Sequence, residues 1–320
     1  MQFTFAVTPP AMTDSRTWID ALRRLEDAGF HSVVFADHFT EGWDAEPMVA
    51  LAAAAMATTT LRLQTGVLSN DYRHPVLTHR LAATADRISD GRLILGMGAG
   101  WLRSDYEQAD IPFDAPGVRI SRLEEALSIV KQLFEDQPVV HQGIYYRING
   151  LVGVPAPVQR PHPPIMLGGG SPRVLRFAGR EADIVSIVAS LRAGALGSHA
   201  VEDLMAERVS EKLDWIREGI VSAGRDPATV VLSINHWLVR ITDTEDDAAA
   251  YLGKVAASHG VDPGRLADSP AVLVGTVPRL VDVLHERRER FGFSHLQLDA
   301  GFPPRDIEPL LPLVGKLAGG

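Results

Sequence analysis

Short apolar runs that end in glycine or in a polar pair, each followed by a segment of helical period, recur along this chain about every thirty residues. That alternation constrains the fold more than any single motif, because stacked strand–helix units imply a parallel sheet covered by helices. Its sharpest instance is Arg92–Trp101, RLILGMGAGW, in which Leu93-Ile94-Leu95 reads as a buried strand that runs into Gly96, Gly98 and Gly100 and stops at Trp101. Gln2–Val7, Ser32–Ala36 and Leu61–Val67 precede it as strands, and SVVFA is apolar and β-branched, as a strand covered on both faces should be. Ser15 caps a helix that runs to Ala28 before Gly29, Glu46–Thr58 is a second helix, and Pro75 opens a third. Arg119–Phe134 is the fourth, with Leu123, Ala126, Leu127, Val130 and Leu133 on one face.

The remaining strands are Ile165-Met166-Leu167, Asp183–Val188, Val230–Val239 and Leu296–Asp299, with helices to Gly179 and over Glu202–Ala223, Glu245–Ser258 and Pro278–Phe291. Eight strands and at least eight helices predict one α/β domain over residues 1–320, a single (β/α)8 TIM barrel; two doubly wound domains are the second topology. The alternation breaks at Asp136–Pro164, which holds six prolines and a short β-rich patch, Gly143–Ile148, and reads as an insertion after helix four. Ala189–Ser198 reads as a mobile Gly/Ala/Ser loop, with its limit near residue 201.

Gly96-x-Gly98 invites a dinucleotide-fold reading, but that fingerprint needs glycine where Trp101 stands and a helix that starts at once, whereas the next strong helical pattern begins near Arg119. A formal net charge of −9 argues against a nucleic-acid footprint. The one dense basic run, His285–Arg290, is interleaved with Glu at helical spacing and reads as a solvated face. Without a single cysteine, disulfides, thiolate metal sites and Cys nucleophiles are excluded. MQFTFAVTPP lacks a basic leader, and the longest apolar run, Met48–Ala57, is too short to span a bilayer, so a cytoplasmic protein without membrane partners is expected.

Four places at strand ends carry residues suited to chemistry. Asp37-His38 is either a polar pair finishing a strand or an acid–base pair, since imidazole titrates near neutrality. Gly66-Val67 reads as a strand bulge, and Gly98, Gly100 and Trp101 as a glycine turn with a surface indole. Gly168-Gly169-Gly170-Ser171 reads as a strand turn into a helix, and bare amides at a helix start bind phosphate well. Neither Gly-x-Ser-x-Gly nor a P-loop occurs, and His74 and His79 lie five apart without a HExxH motif, so no hydrolase, nucleotide-loop or metal reading has support.

In their order, Asp37-His38-Phe39 after strand two, Gly66-Val67-Leu68 in strand three, Gly-x-Gly-x-Gly-Trp after strand four and the Pro-rich run into Gly168–Gly170 resemble the luciferase-like monooxygenase superfamily. Within it the chain is most similar to the actinobacterial oxidoreductases dependent on coenzyme F420, a deazaflavin. The resemblance spans the first strand to the last helix and implies a (β/α)8 barrel with an insertion after helix four. It implies coenzyme F420 as cofactor, with FMN as the alternative, and hydride transfer between the deazaflavin C5 and a small organic substrate. An FMN-dependent monooxygenase using reduced flavin and O2 is the second reading, and a non-catalytic ligand-binding barrel the third. The resemblance also implies a homodimer, for which Met48–Ala57 offers a small-residue helix face.

It places Asp37 and His38 beside the tricyclic ring, His38 as the group that exchanges a proton with substrate, and Asp37 as a partner of the ring or of the His38 tautomer. A non-proline cis peptide is expected between Gly66 and Val67, behind the central ring. Gly98 and Gly100 let a flat ring approach, and Trp101 forms a pocket wall. The cofactor's tail phosphate falls at Gly168, Gly169, Gly170 and Ser171, with Ser69 and Ser186 as further hydrogen-bonding groups. The glucose-6-phosphate dehydrogenases of this group carry Glu where this chain has Trp101, so a sugar phosphate is not the expected substrate.

Overall fold

The described barrel strands are short and largely buried. The structure, a computed structural model, describes residues 2–40, 42, 45–191, 198–298 and 307–318. The strands are β1 (Thr4–Val7), β2 (Ser32–Phe35), β3 (Arg62–Thr65, resumed at Leu68–Ser69), β4 (Leu93–Gly98), β5 (Ile165–Gly169), β6 (Ile184–Ile187), β7 (Val231–His236) and β8 (His295–Leu298). Every residue of β2 and β4 is buried, as strands with helices on one side and a packed interior on the other require.

The sheet order is β3-β2-β1-β8-β7-β6-β5-β4, and β4 pairs back to both segments of β3, which closes the ring of a (β/α)8 barrel. The registers are parallel, with Phe5 opposite Leu296, Ser233 opposite Ser186 and Gly96 opposite Met166. Helices begin where local chemistry starts them. Asp14 accepts the Thr17 amide, Thr244 that of Asp247 and Thr276 that of Arg279, while Pro47 and Pro75 open their helices.

Two compact units divide the described residues, cut within β2 and within β5: one is Val34–Leu167, the other is built from the chain up to Val33, from Gly168–Leu191 and from the described residues after 197. In the first, Leu63, Leu93, Leu95, Leu123 and Leu127 are core residues. In the second, Phe5, Leu22, Leu25, Val185 and Leu213 are, with a satellite cluster of Val201, Met205, Leu252, Leu266 and Val272.

Several expected boundaries change. A short helix, Arg103–Gln108, stands between Trp101 and the long helix Pro116–Leu133, where none is expected; six residues are too few to show a period. Strand seven is two strands: β7 ends at His236, and Leu238–Ile241 pairs instead with Val272–Gly275 in a separate sheet. The helix expected over Glu202–Ala223 is broken into Ser198–Glu202 and Ala206–Ser222. Pro263–Asp268 and Leu311–Ala318 are additional helices.

Within the insertion, Pro138–Gln142 and Arg147–Val152 form an antiparallel hairpin, so the patch Gly143–Ile148 is mostly its turn. Asp299 of the last strand and residues 192–197 of the Ala189–Ser198 loop lie outside the described residues. Among the described residues no helix is long and apolar enough to cross a membrane.

Candidate active site

In the Val34–Leu167 unit, three chain segments meet around one carboxylate. The segment after β2 brings Asp37, His38 and Phe39; the end of β3 brings Ser69 and Tyr72; the short helix after β4 brings Asp105 and Tyr106. His38 Nδ1 lies 2.5 Å from Asp105 Oδ2, and the Asp105 side chain is fully buried. The Tyr72 hydroxyl donates to the same oxygen at 3.2 Å, while the Phe39 and Thr40 amides donate to Oδ1 at 3.1 and 3.2 Å. Burial acts to raise the Asp105 pKa, but hydrogen bonds from His38 and from the Phe39 amide outweigh it and hold the carboxyl below its ordinary value. An ionised Asp105 is an acceptor, so the Nδ1 that faces it carries a proton and the ring is held in one orientation.

The sequence reading offers Asp37 as a partner for the His38 tautomer, and the geometry corrects that. Asp37 is buried and turned away to Arg73, which meets Oδ1 at 3.0 Å and Oδ2 in a second, shorter contact, while the Ser69 amide donates to Oδ2 at 2.9 Å. Arg73 also reaches Glu46 at 2.9 Å. Asp37 thus joins the end of β2 to the end of β3 through an ion pair, and Asp105 holds the imidazole.

The peptide between Gly66 and Val67 is cis, as expected. The glycines of β4 have an internal reason to be glycine. A Cβ on Gly96 would fall 2.0 Å from Thr65 O, one on Gly98 2.6 Å from the Val67 side chain, and one on Gly100 1.8 Å from the Tyr106 hydroxyl. The protein itself already leaves no room for a side chain at Gly98 and Gly100. Gly100 also has φ +73°, a conformation glycine adopts freely. Arg119, stacked on Phe113 at 4.0 Å, donates to Ala99 O at 3.3 Å and to Gly100 O at 3.4 Å and so fixes the turn.

Beyond it, the Trp101 ring stands edge-on to His38 with centroids 5.5 Å apart. Phe39 and Tyr72 pair at 4.4 Å, and Tyr72 meets Tyr106 at 5.4 Å. Burial pushes the Tyr72 phenol well above its ordinary value, so it is a neutral donor to Asp105. Asp37, His38, Gly66, Val67, Ser69, Gly98, Gly100 and Trp101 all lie in this unit, near the ends of β2, β3 and β4.

Gly168–Ser171 and Ser186 belong to the other unit. Gly168 and Gly169 end β5, and Ser171 stands at the N-cap of helix Pro172–Glu181 without a side-chain hydrogen bond to its first turn. Ser186 is a buried residue of β6, opposite Ser233. Lys212 lies fully buried behind the turn, with Nζ 2.9 Å from Gly170 O, 3.3 Å from Val188 O and 2.5 Å from Asp203 Oδ2.

Sequence reasoning misses Asp105, Arg73 and Lys212. Asp105 sits on a helix too short for periodicity to reveal, and Arg73 reaches Asp37 from a turn. Lys212 does leave a signal, because it is a charged residue in the apolar stripe Val209, Leu213, Ile216, Ile220.

A closed ring of eight strands with an imidazole held by a carboxylate at the strand ends defines an α/β-barrel enzyme. The luciferase-like monooxygenase family profile matches residues 1–295, and the chain belongs to that family. It is 29% identical over 303 residues to an F420-dependent glucose-6-phosphate dehydrogenase of Kineococcus radiotolerans, covering 87% of this chain and 85% of the relative. It is 27% identical over 247 residues to an FMNH(2)-dependent dimethylsulfone monooxygenase of Pseudomonas putida, covering 75% of this chain and 63% of that relative. Among solved structures, the coenzyme F420 dependent tetrahydromethanopterin reductase of Methanopyrus kandleri shares the fold with TM-score 0.73 and 23% identity, over 99% of this chain and 98% of that one.

Proposed function

We propose that the protein is an oxidoreductase that uses coenzyme F420 to move hydride to or from a small organic substrate, with His38 exchanging the proton. The observation that carries this reading is the His38–Asp105 pair beside Trp101, where a carboxylate sets the imidazole tautomer at 2.5 Å. Within the Val34–Leu167 unit an imidazole and an indole stand together, a donor set suited to a flat ring; taken by itself, the glycine turn Gly168–Ser171, whose helix carries no side-chain cap, is suited to an anion. When bound, the deazaflavin supplies or takes up hydride at C5. The protein does the rest. His38 Nε2 accepts the proton of an alcohol undergoing oxidation, or as imidazolium returns it to a carbonyl oxygen, and Asp105 stabilises the imidazolium. Trp101, in place of an acidic group, favours a substrate without a sugar phosphate.

An FMN-dependent monooxygenase is the second reading, favoured by the Pseudomonas putida relative. Titrating the protein with each cofactor while following Trp fluorescence separates them. Saturable binding of F420 is expected; saturable binding of FMN alone overturns the reading. A purely ligand-binding role predicts that His38→Ala leaves turnover of every substrate untouched.

The protein is further proposed to pair with a second copy through helix Pro47–Ala57. Val49 is 70% and Met56 76% exposed there, beside Leu77 on helix Pro75–Ile88 at 48%. Sedimentation of a species near the 34.7 kDa monomer mass at micromolar concentration overturns this.

A further inference from the structure

We infer that Lys212 and Asp203 form a buried clamp that aims the Ser171 and Ala189 amides outward as an anion cradle; the inference rests on the reading that the cofactor's phosphate binds at Gly168–Ser171. Lys212 is fully buried on the apolar face of helix Ala206–Ser222, where an ammonium persists only with compensating partners. Its partners include two main-chain carbonyls, Gly170 O at 2.9 Å and Val188 O at 3.3 Å, and one carboxylate, Asp203 at 2.5 Å.

A trans peptide is planar, with its C=O and N–H pointing in opposite directions. The oxygen of Gly170 shares its peptide with the Ser171 N–H, and that of Val188 with the Ala189 N–H. Turning both oxygens toward Lys212 therefore turns both N–H groups away from it. Among the described residues neither N–H donates to a main-chain acceptor. The two segments are also locked to each other. The Val188 amide donates to Gly169 O at 3.1 Å, and the Ser190 amide to Asp203 Oδ2 at 2.7 Å. A Cβ on Gly170 would sit 2.5 Å from both Ser190 N and Val188 O, so glycine is what lets the segments close. The Ser171 amide lies at the start of a ten-residue helix, whose dipole favours an anion there. Lys212 is thus a positioning residue: it faces the carbonyl side of two peptides, and the ligand meets the amide side.

The test is equilibrium binding, read by intrinsic Trp fluorescence, of coenzyme F420 and of its phosphate-free deazaflavin riboside, to the wild type, Lys212→Met and Lys212→Met/Asp203→Asn. The double variant removes both buried charges together and keeps an oxygen for the Ser190 amide, so it is expected to fold even if the single variant does not. Wild type is expected to bind F420 more tightly than the riboside. Folded variants should bind F420 about tenfold or more weakly, the loss of one charge-assisted hydrogen bond, and the riboside unchanged. A folded double variant that binds F420 as wild type does overturns the clamp, and one that cannot fold assigns the pair to folding alone and also overturns it. Wild type that binds both ligands equally removes the phosphate reading itself, a separate failure.

Discussion

Two places in the Val34–Leu167 unit use the same local chemistry for different ends. Asp105 collects the Phe39 and Thr40 amides and His38; Glu125, on helix Pro116–Leu133, collects the Ile144, Tyr145 and Tyr146 amides at 2.8–3.2 Å and His141 at 3.1 Å. In both, amides and an imidazole draw the carboxyl pKa below its ordinary value against the pull of burial. The surroundings differ. The Asp105 side chain is 0% exposed and its histidine stands at a strand end against Trp101, whereas His141 is 20% exposed on the inserted hairpin. A carboxylate–histidine pair bound by amides is therefore a way of pinning a loop; it becomes a candidate catalytic pair only where strand ends and aromatic walls bring a ligand to it.

The largest effect should break the likeness outright. His38→Ala is expected to lower kcat by about 10²–10⁴-fold, the usual worth of a positioned acid–base group, and His141→Ala to leave kcat within about twofold. Equal losses in the two variants would mean that the hairpin pair belongs to the site. Asp105→Asn should lower kcat to a similar degree and flatten the pH–rate profile, since an amide facing Nδ1 favours the other tautomer. The next effect is on stability. Arg73→Met leaves the Asp37 carboxylate buried beside a lost partner and should cost about 3–5 kcal/mol by urea unfolding. A loss below about 1 kcal/mol would make the pair a surface-like contact and restore Asp37 as a free group for the cofactor ring.

The barrel was legible because its strands are apolar runs with hard stops and its helices long enough to show a period. The insertion announced itself through proline. Asp37, His38 and Trp101 were legible as residues at strand ends, yet which carboxylate serves His38 was not, because the partner comes from sixty-seven positions further on, out of a helix with no periodic signature. The glycines of β4 were legible as a requirement for space; that the space is taken by Val67 and Tyr106 depends on how neighbouring strands end. Lys212 could have been found, since an ammonium amid Val209, Leu213 and Ile216 demands acceptors. Which carbonyls supply them is a matter of packing.

A smaller effect concerns histidines that have no carboxylate at all. Burial drives the pKa of His236 and of His295 down to about 3, from an ordinary 6.5. Above pH 6.5 both are neutral folded or unfolded, and between pH 6.5 and 3 the unfolded chain takes up protons that the native one refuses. Stability is then lost as pH falls through that window, by about 2 kcal/mol per histidine at pH 5. The Asp105 carboxyl lies below its ordinary 3.8 and does not contribute at that pH. Burial lowers the His79 pKa as well, so it adds to the same loss; urea midpoints at pH 7 and pH 5 should differ accordingly, and His295→Asn should reduce the difference. An unchanged slope in that variant would place the acid sensitivity elsewhere.

The smallest effect returns to Glu125. Glu125→Gln keeps one carbonyl oxygen for the turn and sets an NH2 group against amides that donated to the second carboxylate oxygen, so about 1–3 kcal/mol of local stability should go. Hydrogen exchange at the Ile144–Tyr146 amides reads that loss directly, because the hairpin turn is held to helix Pro116–Leu133 by these bonds. Turnover and cofactor binding should stay as in the wild type. The outcome is not trivial: the Tyr146 hydroxyl meets the Asn70 amide at 3.3 Å, one residue beyond Ser69, so a loosened turn has a route to the end of β3. Were Glu125→Gln to slow turnover as Asp105→Asn does, the hairpin would be part of the catalytic apparatus. If exchange quickens and turnover holds, the two carboxylates share a structural device and Asp105 alone has been put to chemical use.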